Sequence, residues 1–265
     1  MNDYKIICDE KTGICNLVSS EEIGYLDNIK KEIINVFLFT NPINEISKDY
    51  YIDLLKFYLQ YSEYINFNLV IGNGNSNVYN SLLIKVFELA EQKNEIKALQ
   101  FLNFARFYSN YLGKNLDEKN TIKEILQLIN CKNSDINNLL NLNKANDLIT
   151  SDINFAEMYK IKEYPSLVMI NENNQGLKIK ENHNFEKYQQ VLKRLSIDKT
   201  SLIPIELPSF SNLIDNILLI SQDEIEYLYG INISNFNAFI EEKLNEKKYE
   251  ILEFKSKKFI MLNNN

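Results

Sequence analysis

The sequence predicts an α/β fold with a helical insertion, followed by a small α+β unit, on three observations. Strand-like runs and amphipathic helices follow one another in the order β-α-β, helices, β-β-α. A prolyl break at Asn41-Pro42 ends the first strong strand, and a second proline, Pro165, opens a later one. Beyond the last core helix the chain loses its period over a stretch holding Pro204 and Pro208, then regains helix and strand signals from residue 211 onward.

Residues 1–30 read as an irregular segment with a short strand at Tyr4 to Ile7. Ile33 to Thr40 is β-branched and aromatic without a helical period, the pattern of a buried central strand. From Ser47 to Gln60, the spacing of Tyr51, Ile52, Leu55, Tyr58 and Leu59 predicts an amphipathic helix packed on the sheet. Ile65 to Ile71 alternates apolar and polar residues, as a strand does. The Gly72-Asn73-Gly74 loop after it has neither a third glycine nor a Walker lysine, so it reads as a surface loop rather than a phosphate cradle.

About residues 78–160 carry helical periodicity with breaks near Gly113 and Asn133, giving four or five helices. Stripes such as Leu82, Leu83, Val86, Phe87 and Ala90, or Leu102, Phe104 and Phe107, are core faces. Strand signals return at Ser166 to Ile170, directly after Pro165, a position where a missing N–H is tolerated. A turn over Asn171 to Gly176, a return strand at Leu177 to Lys180 and a helix from Phe185 to Leu195 close this domain, taken as residues 31–195. Residues 196–210 read as the linker. In 211–265, Ser221-Gln222-Asp223-Glu224 is a capping-box start for a helix that stops at Gly230. A second helix over about Ser234 to Lys247 and strands at Tyr249 to Phe254 and Lys258 to Leu262 make a winged-helix-like arrangement.

Composition bounds the function. The chain has 265 residues, 45% of them hydrophobic and 25% charged, and no apolar run approaches the ~20 residues of a membrane span. Its start lacks the features of a secretory signal, so a cytoplasmic location is expected. A net charge of −7 argues against charge-driven attachment to nucleic acid or membrane and leaves proteins as the expected partners. Three cysteines, Cys8, Cys15 and Cys131, do not make a disulfide framework, and the spacing of Cys8 and Cys15 with the lone His183 gives no metal set. No cofactor is expected.

The candidate site is a pair of distant segments. Asn41, Pro42, Asn44 and Ser47 form a turn between the first core strand and its helix, and Tyr164, Pro165 and Ser166 open the strand that faces it. Together they look like a thioredoxin-type active site in which Asn44 and Ser47 stand where the two thiols would be. Without a thiolate nucleophile this turn cannot exchange disulfides, so the expected function is binding rather than enzymology, with Tyr164, Pro165 and Ser166 as a candidate partner-binding edge.

On Phe39-Thr40-Asn41-Pro42, Lys85-Val86-Phe87-Glu88-Leu89, Ala156-Glu157-Met158, Tyr164-Pro165-Ser166-Leu167, Gly176-Leu177-Lys178-Ile179 and the helix-turn-helix-wing tail, the chain resembles the YjbH/SpxH family. These are DsbA-like adaptor proteins that deliver the transcription factor Spx to the ClpXP protease. The resemblance implies a thioredoxin-like (DsbA-like) core with a helical insertion near 78–160, a non-catalytic adaptor role in stress-linked proteolysis, and Spx-type substrate and ClpXP as partners. Family members often keep cysteines at the turn, so redox sensing there is lost or moved in this chain. Two other readings stand beside it: a DsbA-like thiol-disulfide oxidoreductase or isomerase using Cys8 and Cys15 or another nucleophile, and DNA binding through the winged-helix tail. The latter would use the cluster Lys243, Lys247, Lys248, Lys255, Lys257 and Lys258, which glutamates interleave.

Overall fold

The computed structural model describes residues 5–9, 14–18, 33–40, 48–71, 95–116, 118–131, 145–180, 184–196, 202–254 and 256–263. In chain order its elements are β1 (Lys5–Asp9), β2 (Ile14–Val18), β3 (Ile34–Thr40), α1 (Lys48–Tyr61), β4 (Ile65–Ile71), α2 (Glu95–Asn110), α3 (Lys119–Leu128) and α4 (Ala145–Met158). Then come β5 (Ser166–Ile170), β6 (Gln175–Ile179), α5 (Phe185–Leu195), α6 (Phe210–Ile217), β7 (Leu219–Ser221), α7 (Gln222–Tyr229), a 3-10 turn (Ile233–Asn235), α8 (Phe236–Lys243), β8 (Tyr249–Phe254) and β9 (Lys257–Leu262). Two compact units divide the chain: unit 1 comprises Met1–Asn73 with Thr150–Leu207, and unit 2 comprises Gly74–Ile149 with Pro208–Asn265.

Unit 1 is built on a sheet of order β1-β2-β6-β5-β3-β4, in which only β3 and β4 pair in parallel. The parallel pair follows from the β-α-β passage through α1. Every residue of β3 is buried, its apolar stretch from Val36 to Phe39 flanked by buried Asn35 and Thr40, as expected of a strand covered on both faces. On one face Phe37, Phe39, Val168 and Ile170 pack with Phe155, Ala156 and Tyr159 of α4 and the turn after it. The Phe37 and Phe155 rings meet edge to face at 5.0 Å, a geometry the ring quadrupoles favour. Helices α1 and α5 pack together through Phe57 and Tyr188, 5.4 Å apart, and α5 lies against β5 and β6.

Local chemistry explains the boundaries. Asn184 caps α5 by accepting from Lys187 N; Glu186 sits in the first turn and Lys193 and Arg194 in the last, matching the helix dipole at both ends. Between β5 and β6 the buried Asn171 folds the hairpin turn. Its Oδ1 accepts from Asn173 N at 3.1 Å and Gln175 N at 2.9 Å, and its Nδ2 donates to Leu195 O at 3.1 Å.

Unit 2 groups residues differently from the sequence expectation, which placed the helical insertion with the thioredoxin-like core and the tail on its own. Helix α2 is fastened to the tail by side-chain bonds: Gln100 Nε2 donates to Asn216 O at 2.9 Å and Asn103 Nδ2 to Leu219 O at 3.1 Å. Arg106 pairs with Glu224 at 2.5 Å, while Phe107 lies 4.9 Å from Phe259 and 5.3 Å from Phe254. The polar and aromatic faces of one helix thus complete the core beneath a three-stranded sheet of order β7-β9-β8. The anticipated capping box is formed at Ser221 and Glu224, and α7 ends at Gly230 in a left-handed conformation, φ +65°.

Three further corrections concern the remaining boundaries. The segment 1–30, expected to be irregular apart from a short strand at Tyr4 to Ile7, contributes the hairpin β1-β2, which extends the sheet through β6. The second tail helix is shorter than expected, with a 3-10 turn ahead of α8. Strand β7, three residues long, was not anticipated, because its Leu219 and Ile220 continue the apolar pattern of α6.

Candidate functional site

Register fixes where the candidate edge lies. β3 and β5 run antiparallel with Phe39 opposite Ser166, so β5 begins beside the end of β3, one residue before Asn41 in the chain. Asn41, Pro42, Asn44 and Ser47 themselves lie outside the described residues. The Tyr164–Pro165 peptide bond is cis. Ser166 is 1% exposed and its hydroxyl donates to Glu163 O at 2.7 Å, closing the bend that precedes the strand. Half-buried Tyr164 packs against the Phe155 and Tyr159 cluster. The edge is therefore anchored from beneath by the aromatic core.

Helix α4 ends just before this bend, and its end is closed by a residue that pattern reasoning missed. Lys178 of β6 is 2% exposed, and its Nζ donates to Tyr159 O at 3.1 Å and Lys160 O at 2.8 Å. These carbonyls lie at the C-terminal end of the helix, where a cation is favoured. Burial, with repulsion from Lys180 next, pushes the Lys178 pKa down to about 8. In the sequence Lys178 stands between Leu177 and Ile179 and looks like an outward strand residue. Only the docking of α4 on that face reveals otherwise, since Lys178 lies opposite Val168, a member of the α4-facing cluster.

The cysteines are not arranged as a thioredoxin dithiol. Cys8 and Cys15 occupy paired register positions on β1 and β2, two strands or more from β5 and at no helix N-terminus. Half-buried Cys131 follows α3 in the other unit, and His183 lies outside the described residues. Among the described residues no three His, Cys, Asp or Glu side chains are grouped so as to hold a metal ion, and no helix is long and apolar enough to cross a membrane.

In unit 2 three lysines of the tail are engaged with acids. Lys243 meets Glu242 at 2.7 Å, Lys247 meets Asp215 at 2.5 Å and Lys257 meets Asp223 at 3.3 Å. Such pairing spends positive charge that a phosphate backbone would need. Tyr229, whose hydroxyl donates to Pro208 O at 2.9 Å, is held protonated well above the usual range by burial.

No family model matches the sequence. Among curated relatives, the protein of Bacillus cereus named ClpXP adapter protein SpxH is 25% identical over 184 residues. One of the same name from Bacillus thuringiensis subsp. konkukian is 25% identical over 186. Each match takes in 68% of this chain, and the chain spans 59% of the length of these relatives. Among solved structures, a candidate protein disulfide isomerase from Nitrosomonas europaea superposes with a TM-score of 0.52 at 10% identity, over 62% of this chain and 97% of its own. DsbA of Pseudomonas aeruginosa gives 0.50 at 12% identity, over 68% and 88%. At such identities these structures speak to the fold alone, which is the DsbA-like thioredoxin fold.

Proposed function

We propose that this chain is a non-catalytic, cytoplasmic adaptor that binds a transcription factor of the Spx type and promotes its degradation by the ClpXP protease. The observation that carries the reading is the similarity to relatives named ClpXP adapter proteins. The sequence adds a physical reason. With Asn44 and Ser47 at the turn, the thioredoxin frame keeps its shape and has no sulfur nucleophile there. Cys8 and Cys15, paired on an outer hairpin, lack the helix N-terminus that lowers a catalytic thiol's pKa.

An adaptor needs no chemistry of its own. Holding substrate and protease together replaces a bimolecular encounter by an intramolecular one and raises the local substrate concentration. We read Tyr164, Pro165 and Ser166 as the edge offered to the partner, with the half-buried Tyr164 and Pro165 making the contact and buried Ser166 holding the bend beneath them. The tail, with helix, strand, two helices and two strands in that order, is read as a winged-helix-like module. Its paired lysines favour a protein-facing role over DNA binding.

The test is reconstitution of purified chain, Spx-type substrate and ClpXP, with substrate lifetime followed with and without the chain. A shortened lifetime together with a substrate complex is expected. An unchanged lifetime with no complex overturns the reading.

A further inference from the structure

In a chain whose net charge is −7, a pocket of about 250 Å³ in unit 1 gathers four lysines. Lys160, Lys162, Lys178 and Lys180 line it, with Glu163 and Ser166 as the other described lining residues. A concave wall on which one sign of charge predominates raises the potential in the space it borders. The bland explanation covers part of this arrangement, because Lys178 closes the end of α4. Its ammonium carries three protons, however, and the two carbonyls of Tyr159 and Lys160 take two of them. The third has no acceptor among the described protein atoms, on a side chain that is 98% buried by its 2% exposure and lines the pocket.

Two more observations fit a site for an anion. Burial and the neighbouring Lys180 and Lys162 disfavour the charged form of Lys178, and Glu163 opposes them. Bound negative charge would reverse that balance. Lys160, which follows α4, sits at φ +50°. The Ile161 N to Ala156 O bond at 2.9 Å closes the helix around it, and glycine is the usual occupant of such a left-handed position because it has no Cβ to clash. A lysine there gives up conformational ease and adds a charge to the pocket lining. Four ammonium groups without an arginine fork suit a ligand recognised by charge density rather than by planar bidentate geometry. The volume lies just below the ~300–1,000 Å³ of ordinary small-molecule sites.

We propose that this pocket binds a small multivalent oxyanion, with Lys178 as the buried donor and Lys160, Lys162 and Lys180 around it. The ligand is of the phosphate or the polycarboxylate kind, and the inference does not depend on the adaptor reading.

Calorimetric titration of the full chain with sodium pyrophosphate, inorganic phosphate and citrate, each at constant ionic strength with sodium chloride as control, tests it. One-to-one binding of at least one of the three is expected. It should weaken at least tenfold in the double variant Lys162→Gln/Lys180→Gln, which changes no buried side chain, and further in Lys178→Met. Tighter binding of the phosphates assigns the site to phosphate compounds, and tighter binding of citrate assigns it to carboxylates. No heat beyond the chloride control, or affinity unchanged in the double variant, overturns the proposal. So does a hexaglutamate peptide that binds when none of the three small anions does, which would make the pocket a peptide site.

Discussion

Replacing Glu224 by alanine perturbs unit 2 at a buried carboxylate that joins two elements. The Glu224 side chain is 3% exposed. Its Oε1 accepts from Arg106 at 2.5 Å, and its Oε2 accepts from Ser221 N at 2.7 Å and Ser221 Oγ at 2.8 Å. One carboxylate thus closes the capping box of α7 and holds α2 to it. Removing one partner of a buried ion pair costs about 3–5 kcal/mol, and loss of a helix cap about 1 kcal/mol. Because both effects run through the same group they overlap, and the expected loss is about 3–4 kcal/mol.

Urea unfolding followed by far-UV circular dichroism gives the magnitude, and hydrogen exchange gives the location, with lost protection concentrated in α2 and α7. Lys243→Ala is the control. Its pair with Glu242 is solvent-exposed, at 43% and 70% for the two side chains, so its effect should stay below about 0.5 kcal/mol. The double replacement Arg106→Met/Glu224→Leu should recover most of the loss, since no buried charge is then left behind. A loss under about 1 kcal/mol for Glu224→Ala, or exchange unchanged in α2, would refute the claim that this carboxylate ties the insertion to the tail.

Asn171→Ala removes four hydrogen bonds at the β5-β6 turn and strands backbone groups there, for an expected loss of about 2–3 kcal/mol read from the urea midpoint. Gly230→Ala meets no atom within 4 Å of the added Cβ, so its cost should be conformational only, about 1 kcal/mol for a left-handed residue, measured the same way. Lys178 gives a pH signature. Its pKa is about 8 in the folded chain and 10.5 ordinarily, so between those values the unfolded chain holds more protons and stability contributed by this group rises with pH. After discounting for the two carbonyls that favour the ammonium, the gain from pH 7.5 to 9.5 should be about 1–2 kcal/mol relative to Lys178→Met. A difference of the opposite sign would show that Lys178 is instead stabilised as the cation.

The sequence and the structure agree where local signals are strong. β4 spans Ile65–Ile71 as its period-two pattern requires, α5 spans Phe185–Leu195 as read from the sequence, and the Ser221-to-Glu224 box starts α7. Helix α1 was found but its buried face was misjudged. Phe57 and Tyr61 are fully buried while Tyr58 and Leu59 are half-buried, because α5 packs on the side that a single-stripe pattern leaves outward. The grouping of α2 with the tail was invisible for a different reason. Gln100, Asn103 and Arg106 reach partners 116 to 118 positions away, and a polar residue in a helix carries no mark of such a bond. At the candidate site, Pro165 was legible from its place before an apolar strand, whereas Lys178 was not, since its burial depends on α4 docking.

The central claim is that this chain acts by holding a partner and not by sulfur chemistry. Its most direct test is the rate of ClpXP degradation of an Spx-type substrate with the variant Cys8→Ser/Cys15→Ser/Cys131→Ser in place of the parent chain. The account predicts acceleration within about twofold of the parent, a difference under about 0.5 kcal/mol in activation free energy. Loss of the acceleration in a variant that still folds and still binds substrate would contradict it.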